Sequence, residues 1–168
     1  MKKTIKLLAV LSAVLLLSGC SAKGLSPEST IKAPGATGYY AGVQKALEQA
    51  VGKDIVLKYP LVNGRRSAFC SGDFNGSGKD EVLAFYQQKG EAAVTRMNLL
   101  SWDNGKWSSV QDIDPAGKEL LTADTSDLDL DGNFEILTGW QVPTAKTNQL
   151  CIYKMENGGL IQRADETY

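Results

Sequence analysis

Between residues 40 and 51 apolar side chains recur every three or four positions, at Tyr40, Val43, Leu47 and Val51. That period predicts one amphipathic helix of about three turns, with Gly52 as its stop. From Ile55 onward the pattern changes to short apolar runs cut by turn residues, which reads as β. "IVLKY" is halted by Pro60, and "SAFCSGDFN" and "EVLAFY" flank a loop of Gly, Asn, Asp and Ser. "AVTRMNLLSW" meets "KWSSVQDI" across Asp103-Asn104-Gly105, where Asn-Gly supplies the positive φ angles of a tight hairpin. The second half repeats this plan. "ELLTADTSDLD" and "EILTGW" flank an acidic loop, and "NQLCIYKM" and "LIQRADE" flank Glu156-Asn157-Gly158-Gly159. The expected class is all-β, with two four-stranded units after one short α-helix.

The N-terminal pattern is of another kind. Lys2, Lys3 and Lys6 precede an uncharged apolar run from Leu7 to Leu17, which ends in "LSGC" at Cys20. This is the layout of a secretory signal, and the run is too short to span about 30 Å of hydrocarbon. A signal ending in cysteine resembles the bacterial lipobox. The resemblance implies that Cys20 is diacylated and begins the mature protein, held in the membrane by its acyl chains. An ordinary secreted protein cut nearby is the alternative. Residues 21 to 38, "SAKGLSPESTIKAPGATG", are small, polar and rich in Gly and Pro, as a tether is. The expected divisions are therefore a signal at 1–19, a lipidated tether at 20–38, a helix and lead-in strand at 39–60, and repeats at 61–116 and 117–168.

Without the signal's three lysines, 15 basic side chains stand against 19 acidic ones, a net charge of −4. That balance argues against a nucleic-acid partner and against a polybasic membrane face. Cys70 and Cys151 lie in apolar, strand-like runs, where buried thiols are the expectation and a disulfide the alternative an extracytoplasmic compartment would allow.

The two acidic loops superpose as sequences. "DFNGSGKDEVL" starts at Asp73 and "DLDLDGNFEIL" at Asp127, a period of 54. Positions one, three, five, six and nine read Asp/Asn/Ser/Gly/Glu in one and Asp/Asp/Asp/Gly/Glu in the other. A period near 50 with four strands per unit is the signature of β-propeller blades. Oxygen side chains at alternate positions suit a hard cation, and glycine at six permits the sharp turn around it. The EF-hand is excluded, because its twelfth position is Ala84 or Thr138 here and the carboxylate falls at position nine, Glu81 or Glu135. With no histidine in the chain, zinc and copper are poor candidates. A metal-free turn, with Asp and Asn bonding their own backbone, is the alternative at both loops. It is the weaker one for the second, where four carboxylates without a counter-ion would repel one another. By charge count the second loop is expected to be the tighter calcium site.

Both loops resemble those of FG-GAP/VCBS-type repeats, the blades of integrin-α-like propellers, over about residues 65 to 168. The chain as a whole is similar to Gram-positive lipoproteins that carry such repeats. The resemblance implies two structural Ca2+ sites. Asp73, Asn75, Ser77 and Glu81 would form one, with the backbone carbonyl of Lys79. Asp127, Asp129, Asp131 and Glu135 would form the other, with the carbonyl of Asn133. The Phe-Gly and Gly-Ala-Pro signatures of the repeat are absent, and glutamate replaces its usual aspartate at position nine.

The expected function is a lipid-anchored, extracytoplasmic binding or scaffold module with calcium as a staple. Its partners would be the membrane, through Cys20, and a cell-envelope protein or glycan. The alternative is a carbohydrate-active or other envelope enzyme. For that reading the chain offers Asp112 and Asp114 as a carboxylate pair, Arg65-Arg66 as an anion grip, and Trp102, Trp107 and Trp140 as sugar platforms. Without histidine there is no Ser-His-Asp or Cys-His set. Solvated charges and cross-strand aromatic pairing explain the same residues more simply. Two units are fewer than the 4–8 blades typical of a closed propeller. The expectation is an incomplete propeller that self-associates into a homo-oligomer, or a fragment of a longer one.

Overall fold

The computed structural model describes residues 36–61, 67–91, 94–115, 119–142, 145 and 147–168. The signal, Cys20, the tether up to Gly35 and Arg65-Arg66 lie outside the described residues.

Helix α1 spans Tyr39–Val51 and is closed by Gly52, whose N–H reaches back to the carbonyl of Glu48 at 3.1 Å. It buries Val43, Ala46 and Leu47, the face that the 3.6-residue period picks out. No helix among the described residues is long and apolar enough to cross a membrane.

Among the described residues nine strands follow: β1 (Ile55–Leu57), β2 (Phe69–Gly72), β3 (Glu81–Gln88), β4 (Arg96–Asp103), β5 (Lys106–Ile113), β6 (Glu119–Ser126), β7 (Glu135–Gln141), β8 (Asn148–Glu156) and β9 (Gly159–Thr167). All pairings are antiparallel and fall into two sheets. The second is the meander β6-β7-β8-β9. The first is the meander β2-β3-β4-β5 with one addition, β1. This lead-in strand pairs with the far end of β3, Leu57 opposite Tyr86, on the edge that β2 occupies from Phe69 to Gly72. It is therefore part of the first sheet rather than a separate lead-in. Both two-residue hairpins take the predicted turn, with Asn104 and Gly105 at φ 49° and 78°, and Asn157 and Gly158 at 49° and 81°.

Burial divides the first sheet by parity. Leu83 and Phe85 of β3 point into a core shared with Leu120, Ile136, Trp140 and Cys151 of the second sheet. Val82, Ala84 and Tyr86 point the other way, against Val43 and Leu47 of α1. A strand covered on both faces must be apolar throughout, which is why "EVLAFY" shows no alternation. Cys70 and Cys151 both sit buried as thiols. Among the described residues the architecture is all-β with a single helix, and it does not form a closed propeller. The far face of the second sheet carries Leu137, Leu150 and Ile152, which stay half-buried.

Candidate functional site

The two acidic loops join β2 to β3 and β6 to β7, and they fold alike. In the first, the carboxylate of Asp73 accepts the backbone N–H groups of Ser77 (2.9 Å) and Gly78 (2.7 Å). In the second, Asp127 accepts those of Asp131 (3.1 Å) and Gly132 (3.0 Å). Glu81 Oε2 accepts the N–H of Phe74 at 3.0 Å, and Glu135 Oε2 that of Leu128 at 2.8 Å. Every one of these bonds recurs at a shift of 54 residues. Position six is left-handed glycine in both, Gly78 at φ 76° and Gly132 at 92°. Position four is left-handed as well, but it holds Gly76 (φ 71°) in one loop and Leu130 (φ 60°) in the other.

The loops are also neighbours. The N–H of Phe134 donates to the carbonyl of Asp73 at 3.0 Å. The side-chain oxygen of Asn133 stands so close to Gly76 that a Cβ there would lie 2.3 Å from it. Gly76 is thus needed for the approach as well as for its φ.

At position three the loops part. Asn75 Nδ2 donates to Glu81 Oε1 at 2.6 Å, and the N–H of Ser77 also bonds Asn75 Oδ1 at 2.8 Å. Asp129 cannot donate, and Lys154 of β8 takes that part. Its ammonium lies 2.5 Å from Asp129 Oδ2, 2.6 Å from Asp131 Oδ2 and 3.3 Å from Glu135 Oε1. Asp131, which also accepts the N–H of Asn133 at 2.8 Å, is held below the usual carboxylate range, chiefly by the bond from Lys154. The Lys154 ammonium is held above its usual value by Asp129 and then Asp131. In the first loop burial raises Glu81, opposed by the N–H of Phe74.

This overturns one premise of the sequence reading, that the second loop lacks a counter-ion. The chain supplies one, so charge count alone no longer ranks the two loops. Strand register places Ser101 where Lys154 stands, since Val82 pairs with Leu100 as Ile136 pairs with Tyr153. Ser101 lines a hollow with Asn75 and Glu81. A lysine 19 residues beyond Glu135 carries no signal in sequence; only the pairing of β7 with β8 brings the two together.

The donor set fits an oxygen-liganded divalent cation. Asp127, Asp129 and Glu135 each offer a carboxylate oxygen, and these lie within 4.8 Å of one another. Glu135 is 3% exposed, and beyond its ion pair with Lys154 its Oε1 has no hydrogen-bond partner among the described residues.

The other sequence candidates fall elsewhere. Trp102 and Trp107 face each other across the β4–β5 hairpin, ring centroids 5.6 Å apart. Trp140 is fully buried, its indole N–H donating to Thr138 Oγ1 at 2.7 Å. Asp112 accepts the Tyr86 hydroxyl (2.8 Å) and Asn98 Nδ2 (3.0 Å). Asp114 faces Arg96 at 3.9 Å. Comparison with known protein families, curated proteins and solved structures finds no match for this chain.

Proposed function

We propose that this chain is a lipid-anchored, extracytoplasmic binding module whose two FG-GAP/VCBS-type repeats are stapled by calcium. The observation that carries the reading is the repeated loop: the same acidic positions, 54 residues apart, holding the same backbone N–H groups. Asp73, Asn75, Ser77 and Glu81, with the carbonyl of Lys79, would hold one ion. Asp127, Asp129, Asp131 and Glu135, with the carbonyl of Asn133, would hold the other. Calcium, when bound, supplies a divalent cross-link between the start of each loop and the strand that follows it. In the second loop Lys154 already binds the same oxygens, so ammonium and ion are alternatives there. The loops lie against each other, so ion binding at either stiffens one continuous end of the two sheets.

The test has two arms. Mass spectrometry of membrane-extracted protein should show a glyceride-modified Cys20 and no residues 1–19, whereas a Cys20→Ala protein still fractionating wholly with membranes would overturn the anchor. Calorimetry should show calcium binding, and calcium should raise Tm by mass action. No heat of binding and no shift in Tm would overturn the staple.

A further inference from the structure

The face of the first sheet that carries α1 holds a cleft of about 670 Å3, opened between the helix start, the end of β4 and the tail of the first acidic loop. Such a volume lies in the range of small-ligand sites. Its aromatic wall is open among the described residues. Trp102 is 46% exposed and Tyr39 56%, although both belong to a patch of rings in mutual contact. Tyr39 meets Trp107 edge-on with centroids 5.4 Å apart at 88°, and Trp107 meets Trp102 at 5.6 Å and 65°. Gly42 of α1 completes the floor. A Cβ there would stand 3.1 Å from Trp107 Cδ1, so the missing side chain lets the helix seat against the indole.

The rim is polar and of both signs. Lys79 and Asp80, adjacent and exposed, line the same cleft. Asp80 lies close enough to Tyr39 to add to the effect of burial in raising that phenol.

We propose that this cleft is the ligand site of the binding module and that its ligand class is a neutral saccharide. The proposal rests on the binding-module reading and deepens it. Two features decide the chemistry. First, Trp102 and Tyr39 each touch Trp107 and each leave about half of their surface open, and an open indole or phenol packs on the CH-rich face of a pyranose. Second, a lysine beside an aspartate offers donors and acceptors together with no net charge. Hydroxyl groups, which are both donor and acceptor, match that pair; an anionic or cationic polymer matches only half of it.

The test is titration of the full chain with chitotetraose and cellotetraose, followed by tryptophan emission and calorimetry. Proline decapeptide and tetramethylammonium serve as competitors. At least one of the two sugars should bind saturably. Trp102→Ala should weaken that binding by about tenfold or more, the scale of one lost aromatic contact. Asp80→Ala, a change at an exposed position of the loop, should weaken it by about threefold or more. Binding of neither sugar, affinity unchanged in both variants, or saturable binding of the decapeptide or tetramethylammonium in place of the sugars would overturn the proposal. Retention of an envelope partner by both variants, with no sugar bound by any protein, would discard this cleft and leave the binding-module reading standing.

Discussion

Lys154 Nζ stands 2.5 Å from Asp129 Oδ2, and in the first repeat the matching positions hold Ser101 and Asn75. The pair has therefore changed together within one chain. Where position three is an amide, it donates to the loop's own glutamate; where it is a carboxylate, a lysine from the neighbouring strand neutralises it. If the ammonium competes with calcium, Lys154→Ser should tighten calcium binding at the second loop by on the order of tenfold, since affinity there follows the net charge of the ligand set. The same variant should melt lower than the parent in chelator and gain more in Tm from added calcium. Calcium affinity equal to the parent's would show that lysine and ion do not share the position.

Leu130 occupies a left-handed conformation, φ 60°, with 85% of its surface exposed. The first loop uses Gly76 at the same position. A left-handed non-glycine residue costs about 1–2 kcal/mol, and so exposed a leucine returns little from packing. Leu130→Gly should therefore stabilise the chain, by about 1 kcal/mol once the added freedom of the unfolded chain is subtracted. Denaturant titration measures it, and a lower midpoint would mean that Leu130 makes a contact worth more than its strain.

Much of this was legible in the primary structure because it is local. The α1 period, the Asn-Gly hairpins and the 54-residue echo of the loops each depend on residues close in sequence, and each is found where the pattern puts it. Lys154 was not legible, because its role depends on β8 lying beside β7. The same is true of the cleft, where Tyr39, Asp80 and Trp102 come from a helix, a loop and a strand. The aromatic pair across the hairpin was readable from spacing. That Trp107 is buried while Trp102 stays exposed follows from where α1 lands, and no local pattern carries that information.

Trp140 is the largest fully buried side chain among the described residues and meets Phe85 of the other sheet edge-on at 6.5 Å. It sits in the core that the two sheets share, so its loss should be felt by both. Trp140→Ala should destabilise by about 3–5 kcal/mol. Near-ultraviolet circular dichroism and chemical denaturation should show the two sheets loosening in one transition. A loss below about 1 kcal/mol, at the level of an ordinary surface substitution, would mean that the sheets are held chiefly elsewhere.

Tyr86 is fully buried and donates its hydroxyl to Asp112 at 2.8 Å. Burial and that carboxylate push its phenol well above the usual value. Tyr153, 4% exposed, is raised mainly by burial. A raised phenol keeps its proton in the fold at a pH where the unfolded chain has released it. Its contribution is thus complete below about pH 10, the unperturbed tyrosine value, and is lost as pH climbs from there toward the folded value. Tm should hold up to about pH 10 and then fall, with phenolate absorbance near 295 nm from these two residues appearing only as the chain unfolds. Tyr86→Phe should flatten the alkaline decline. At neutral pH it should cost about 1 kcal/mol, the worth of one hydrogen bond, because Asp112 keeps its bond from Asn98. Phenolate formation by both buried tyrosines near pH 10 in the folded protein would overturn the assignment of that decline to them.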